Sequence, residues 1–303
     1  MPDGAPPIQL RGLSKTFGEL RAVDGLDLDV EPGEIFGFLG PNGAGKSTTI
    51  RMLLDLRRPT SGEVSILGQH PRQGGPELRR RIGYMPGEFV IYDRQNVDDA
   101  LTGLASLRGG VPRKSIVELA DRLDLDLRRT VRELSKGNRQ KVGLVQAFMH
   151  EPELLILDEP TEGLDPLLRR QVGEMLREIR ATGRTVFLSS HVLSEVQETA
   201  DRVGMIRAGR LIAVDSVETL RARAVRRVEI HFNEPVSAAD FSQLPHLADV
   251  AVADQTLRGH LTGDADALVK AAARFSVHTL LVEEPDLEDV FLALYKVDAH
   301  GRR

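Results

Sequence analysis

The segment Gly40-Pro41-Asn42-Gly43-Ala44-Gly45-Lys46-Ser47-Thr48 has the make-up of an anion-binding loop. Glycines let successive backbone N–H groups converge on one point and form a nest for negative charge. A helix that follows such a loop adds the positive end of its dipole. The spacing Gly40-x4-Gly45-Lys46-Ser47 matches the phosphate-loop pattern, in which the lysine reaches the β- and γ-phosphates and the next hydroxyl binds Mg²⁺. Gly40, Pro41, Asn42, Gly43, Ala44, Gly45, Lys46, Ser47 and Thr48 are therefore the candidate nucleotide-binding loop. Ser47 is a candidate metal ligand.

A second feature supports the same chemistry. Leu154-Leu155-Ile156-Leu157 reads as a buried strand that delivers Asp158 and Glu159 at its C-terminal end. Open α/β sheets bind ligands at that end. Asp158 is the candidate for the Mg²⁺ shell. Glu159 is the candidate to orient or deprotonate an attacking water.

These residues need a scaffold, and the hydrophobic pattern supplies one. Ile8 to Phe17 and Leu20 to Val30 read as strands flanking a turn at Gly18; Asp24, Asp27 and Asp29 alternate with apolar neighbours, the period of a half-buried strand. Ile35 to Leu39 is a short apolar run suited to a strand buried on both faces. It leads into the glycine loop and a helix to about Leu56. From about Phe89 to His150 the pattern is mostly helical, clearest over Ser115–Leu125 and Ser135–Met149. Pro166–Ala181 and Leu193–Ala200 read as helices, Thr185–Ser189 and Arg202–Ile206 as strands. Strands alternating with helices predict a mostly parallel sheet with helices on its faces. The basic, apolar-poor run 221–227 reads as a linker. Beyond it, strands at Val228–Phe232, Ala248–Ala253, Leu257–Leu261 and Val277–Val282 and helices at Asp266–Phe275 and Leu287–Tyr295 predict a small α+β domain of ferredoxin-like type.

Composition narrows the field. The chain has 303 residues, 41% hydrophobic and 28% charged, the balance of a globular protein rather than a disordered or fibrous one. The formal net charge is -5, where a nucleic-acid binder usually carries a basic balance, so no nucleic-acid partner is expected. With no cysteine, disulfides, thiolate zinc sites, iron–sulfur clusters and cysteine nucleophiles are excluded. Met1 to Leu10 shows no secretory signal, and no apolar stretch is long enough to span a bilayer. Any membrane crossing is expected from other subunits.

Between the two phosphate-handling features lies Leu134-Ser135-Lys136-Gly137-Asn138-Arg139-Gln140-Lys141, just ahead of a helix. Here the chain resembles the ATP-binding subunits of ABC transporters, whose signature reads Leu-Ser-Gly-Gly-Gln. The likeness covers roughly Ile8 to Asp215 and keeps the family's motif order. It implies a P-loop NTPase fold of ABC type over residues 1–220, with a helical subdomain at about 89–150, followed by the α+β accessory domain at 228–303. It further implies ATP and Mg²⁺ as ligands and a homodimer in which each ATP is clamped between Lys46 of one chain and Ser135 and Gly137 of its mate. Gly163-Leu164-Asp165 resembles the family's D-loop, so Asp165 is expected at the dimer interface. Ser189-Ser190-His191 resembles the switch-histidine loop, and His191 is expected to reach the γ-phosphate. Phe17 stands where the family places an aromatic that stacks on adenine. On this resemblance the catalytic set is Glu159, His191 and Lys46.

Two departures stand out. Lys136 replaces the first glycine of the signature and Asn138 its glutamine; Leu-Ser-Lys-Gly variants recur among drug-, antibiotic- and lipid-exporting members. In Ile82-Gly83-Tyr84-Met85-Pro86-Gly87-Glu88, Gly87 stands where the family has a glutamine that touches Mg²⁺ or water, so a water or Glu88 is expected in that role, or slower hydrolysis. The tail Glu284-Pro285-Asp286-Leu287-Glu288-Asp289-Val290-Phe291 resembles the end of the extra domain of many exporter ATPases. The resemblance therefore implies an ATPase subunit that powers an exporter with separate membrane permease subunits, peripheral on the cytoplasmic face of the membrane. A soluble ABC ATPase with a regulatory or non-transport role is the alternative. A GTPase is disfavoured, since no Asn-Lys-x-Asp segment occurs.

Overall fold

The computed structural model describes residues 5–91, 94–223 and 225–283. Contacts divide the chain into two compact units, Met1–Val214 and Asp215–Arg303.

The first unit opens with β1 (Ile8–Phe17), β2 (Leu20–Val30) and β3 (Ile35–Leu39), followed by α1 (Lys46–Leu53), β4 (Ser61–Ile66), α2 (Pro71–Arg80) and β5 (Ile82–Met85). The helical region holds α3 (Val97–Leu107), α4 (Arg113–Arg122), a 3-10 turn at Val131–Glu133 and α5 (Lys136–Phe148). The α/β pattern resumes with β6 (Leu154–Asp158), α6 (Pro166–Ala181), β7 (Thr185–Ser190), α7 (Leu193–Thr199), β8 (Arg202–Arg207) and β9 (Arg210–Ser216). β1, β2 and β4 form an antiparallel sheet in the order β2-β1-β4. The larger sheet runs β5-β6-β7-β3-β8-β9, with β5, β6, β7, β3 and β8 parallel. β4, α2, β5 and β9 go beyond the sequence reading. β4 pairs with the distant β1, and α2 is interrupted at Gly75-Pro76, where Gly75 has φ 56°.

Every residue of β3 and of β6 is buried, as strands covered on both faces require. Phe187 of β7 stacks on Phe36 at 5.8 Å between ring centres and meets Phe38 at 5.4 Å. Burying such a side chain stabilises the fold by about 1.5–3 kcal/mol. In the helical region, α3 and α4 pack on α5, whose residues Gln140 to Phe148 are all buried. Pro112 at the N-cap starts α4 two residues earlier than the periodicity predicts, and Asp124 with φ 48° follows its end.

In the second unit, α8 (Val217–Arg223) and β10 (Arg226–Phe232) occupy the stretch predicted as a linker; the run 221–227 ends one element and begins the next. Val217 and Leu220 of α8 are buried just ahead of this run. β11 (Leu247–Ala253), β12 (Thr256–Leu261), α9 (Asp266–Ala272) and β13 (Val277–Val282) complete the unit. The sheet order β11-β12-β10-β13 is antiparallel throughout and is that of a ferredoxin-like sheet, with a 3-10 turn at Ala238–Asp240 in place of the first helix. Phe232, Phe241 and Phe275 form its aromatic core, with centroids 5.7–5.8 Å apart. The predicted helix Leu287–Tyr295 and the tail motif lie outside the described residues. Among the described residues no helix is long and apolar enough to cross a membrane.

Candidate active site

Parallel strands carry their C-terminal ends to one edge of the sheet, and strand order decides which ends are neighbours. β3 lies next to β7, and β7 next to β6. The glycine loop after β3 therefore sits near Asp158 at the end of β6 and Ser189, Ser190 and His191 at the end of β7. The register pairs Phe38 with Ser189, and Asp158 with Ser189.

The loop itself is held by its own backbone. Ala44 N–H donates to Pro41 O at 3.1 Å, and Gly45 caps α1 with φ 112°. A Cβ at Gly45 would stand 2.6 Å from Ala22 O, so both the left-handed backbone and the neighbouring strand demand glycine. Lys46 is folded into the loop: its Nζ donates to Gly40 O at 2.5 Å and Pro41 O at 3.3 Å, and pairs with Glu159 Oε1 at 3.2 Å.

Glu159 is the hub. Its Oε2 lies 2.8 Å from His191 Nδ1 and accepts the His191 backbone N–H at 3.3 Å. Its own N–H donates to Ser189 Oγ at 3.1 Å, and its carbonyl accepts Gln140 Nε2 at 2.7 Å. Glu159 has φ 50°, a left-handed conformation that is uncommon for a non-glycine residue. Such strain clusters at functional sites. Ser189 Oγ donates to Asp158 Oδ1 at 2.5 Å, while Asp158 Oδ2 lies beside Gly87, 3.5 Å from where a Cβ would be.

An open cleft of about 600 Å³ lies against the glycine loop, Asp158 and Glu159; His191 is not among its lining residues and reaches it through Glu159. Phe17, Pro41, Asn42, Gly43, Gly45, Lys46, Ser47, Thr48, Asp158 and Glu159 line it, as do Gly87 and Glu88. Phe17 is 38% exposed, with Lys15 Nζ and Arg57 Cζ each 5.2 Å from its ring centre. Tyr84 also lines the cleft; its phenol is pushed up to about 12, first by burial and then by the Asp158 carboxylate, so it stays a neutral hydroxyl.

Ser47 and Asp158 both line the cleft and offer hard oxygen donors, which suits Mg²⁺. That ion takes one or two protein oxygens and completes its shell with phosphates and water.

Ser135, Gly137 and Asp165 do not line the cleft. Ser135 caps α5 by accepting Asn138 N–H at 3.3 Å, and Asp165 caps α6 by accepting Leu167 and Leu168 N–H at 3.0 and 3.1 Å. A Cβ on Gly137 would lie 2.8 Å from Gly163 O, so glycine lets the start of α5 touch the D-loop segment. Lys136 Nζ reaches Glu162 Oε1 at 2.5 Å, and Glu162 lines the cleft. Gln140 and Ser189 stand in the quoted motifs, but the sequence reading gave neither side chain a role. Both are buried polar side chains, and burial is not written in their immediate neighbours along the chain.

Comparison with known proteins gives the family. The family model for ABC transporters matches residues 23–162. The uncharacterized ABC transporter ATP-binding protein YhaQ of Bacillus subtilis is 34% identical over 290 residues, 92% of this chain and 95% of its own length. The bacitracin transport ATP-binding protein BcrA of Enterococcus faecalis is 33% identical over 296 residues, 95% of this chain and 96% of its own. A solved ATP-binding subunit of an ABC transporter is 31% identical and superposes with a TM-score of 0.66, covering 71% of this chain and 91% of the other. On its motif order, its sheet and these relatives, the chain belongs to the ABC transporter ATP-binding proteins, and its first unit is an ABC ATPase.

Proposed function

We propose that two copies of this chain sandwich two ATP molecules and drive an exporter whose membrane-spanning permease subunits are separate chains. The protein then sits peripherally on the cytoplasmic face of the membrane. The observation that carries this reading is the split of the site. The cleft holds the phosphate loop, Phe17, Asp158 and Glu159, while Ser135, Gly137 and Asp165 stand off it on capped helices. The helix start at Ser135 presents backbone N–H groups, a ready anion site for a triphosphate held by a second copy.

In the loaded site, backbone N–H groups of the loop between Asn42 and Thr48 cradle the phosphates, and Phe17 stacks on adenine. Lys46 leaves Glu159 for the β- and γ-phosphates, and His191 turns to the γ-phosphate. Both moves release the Glu159 carboxylate to orient the attacking water. Ser47 and Asp158 would hold Mg²⁺, which supplies charge neutralisation at the β- and γ-oxygens. Phosphoryl transfer needs positioning and charge stabilisation more than covalent chemistry, and this set supplies both. Beside Asp158, Gly87 leaves room for Glu88 or a water to take the place of the missing glutamine. The likeness to a bacitracin transport ATP-binding protein and the Leu-Ser-Lys-Gly signature support export of a drug, antibiotic or lipid.

The test is complementation. Lys46→Ala and Ser135→Ala chains are each expected to be inactive. Mixed, they form some dimers with one intact site built from the wild-type Lys46 of one copy and Ser135 of the other, so ATPase activity returns. No recovery on mixing would overturn the two-chain site.

A further inference from the structure

Behind the catalytic edge, one carboxylate ties together two segments with different expected duties. Glu195, on α7, stands four residues after His191. Its Oε2 accepts the Thr161 hydroxyl, and its Oε1 accepts Arg169 Nη1 at 2.7 Å. The same arginine, on α6, donates its Nε to Leu164 O at 2.8 Å. Thr161 and Leu164 belong to the turn between Glu159 and Asp165, and Leu164 N–H donates to Thr161 O within it at 3.1 Å. The Glu195 side chain is only 18% exposed, which strengthens these contacts relative to a surface pair. α7 offers a firm anchor: Val196 sits so close to β3 that a Cβ on Gly37 would lie 2.1 Å from its Cγ1.

The contacts close a ring. Glu159 binds His191; one turn later Glu195 binds Thr161 and, through Arg169, Leu164; the turn leads back to Glu159. We propose that Glu195, Arg169 and Thr161 are positioning residues that make the D-loop turn and the His191 loop move as one body. Displacement of Asp165 by a second copy would then reset His191 at the γ-phosphate and Glu159 at the water, coupling the two ATP sites. This rests on the sandwich reading above.

Chemistry dictates the variants. Glu195→Gln keeps shape, but its amide has one acceptor oxygen where two donors need one each. Thr161→Val keeps shape without a hydroxyl, while Thr161→Ser keeps the hydroxyl. Steady-state ATPase kinetics of the full chain are the assay, with a thermal melt of each variant. A misplaced catalytic group costs on the order of 10²-fold in rate. Glu195→Gln and Thr161→Val are therefore expected to lose about 10- to 100-fold in kcat, with KM for ATP within about twofold and the Hill coefficient falling toward one. Thr161→Ser retains wild-type kinetics. The Arg169→Gln/Glu195→Gln pair loses less than the product of the two single losses, since both variants break the shared Arg169–Glu195 contact. Wild-type kcat and Hill slope in Glu195→Gln, or a loss carried by KM and melting temperature together, would overturn the proposal. Placed on Glu159→Gln, the Glu195 change leaves ATP-driven dimerisation in place. A Glu159→Gln chain that stays monomeric with ATP while Glu195 is intact would instead refute the sandwich.

Discussion

Replacing Glu159 by glutamine separates binding from hydrolysis, and the geometry sets both magnitudes. Lys46 Nζ is 3.2 Å from Glu159 Oε1, with the side chains 5% and 14% exposed. At that separation the gross attraction is about 5 kcal/mol with an effective dielectric constant of about 20. Desolvation offsets most of it. Lys46 also keeps Gly40 O and Pro41 O as acceptors. A net contribution of about 1–2 kcal/mol remains, and ATP must displace it to recruit Lys46. Glu159→Gln removes that competition, so ATP is expected to bind about 5- to 30-fold more tightly. The positioned carboxylate is typically worth about 10²- to 10⁴-fold in rate, so phosphate release should fall by that factor. Equilibrium binding of a fluorescent ATP analogue and a single-turnover phosphate-release assay measure the two effects. Unchanged affinity would show that Lys46 is not held back by Glu159. Hydrolysis within about threefold of wild type would remove Glu159 from its role.

Three further outcomes follow from named contacts. Gly137→Ala would place a Cβ 2.8 Å from Gly163 O, pushing the D-loop turn aside; ATPase activity is expected to drop about tenfold or more with the melting temperature nearly unchanged, read by steady-state kinetics and calorimetry. Glu88→Ala should weaken the Mg²⁺ dependence of hydrolysis, measured by metal titration; an unaltered titration would assign the space beside Gly87 to water. His150, beside Arg108 Nη1 at 3.0 Å, is pushed down to about 4, first by burial and then by the arginine. Because the folded state resists a proton that the unfolded chain accepts below about 6.5, stability is lost as pH falls from about 6.5 toward about 4. Allowing for partial solvent contact, urea unfolding should show wild type losing about 1–2 kcal/mol more than His150→Gln between about pH 7.5 and pH 5.

Much of the site was legible because its parts are local. A glycine nest, a lysine and a hydroxyl lie within one loop, and Asp158 and Glu159 ride on one apolar strand. The strands and helices around them follow from period and punctuation over a few residues. What failed was equally physical. β4 pairs with β1 from a distance, α2 is interrupted by Gly75-Pro76, and basic residues 221–227 finish a helix and begin a strand rather than linking domains. Polar surface residues signal exposure, and exposure alone does not distinguish a loop from the outer face of an element.

The sequence by itself determined the phosphate chemistry, the paired carboxylates and the alternation of strands and helices, because each is written in residues adjacent along the chain. Only the tertiary structure decided that Lys46, Glu159 and His191 meet, that Ser135 and Asp165 stand off their own cleft, and that Glu195 binds Thr161 and Arg169. Those relations depend on β6, β7 and β3 lying side by side and on α7 pressing against Gly37. Strand order and helix packing are chosen by burial summed over the whole core, a quantity that no short stretch of the chain contains.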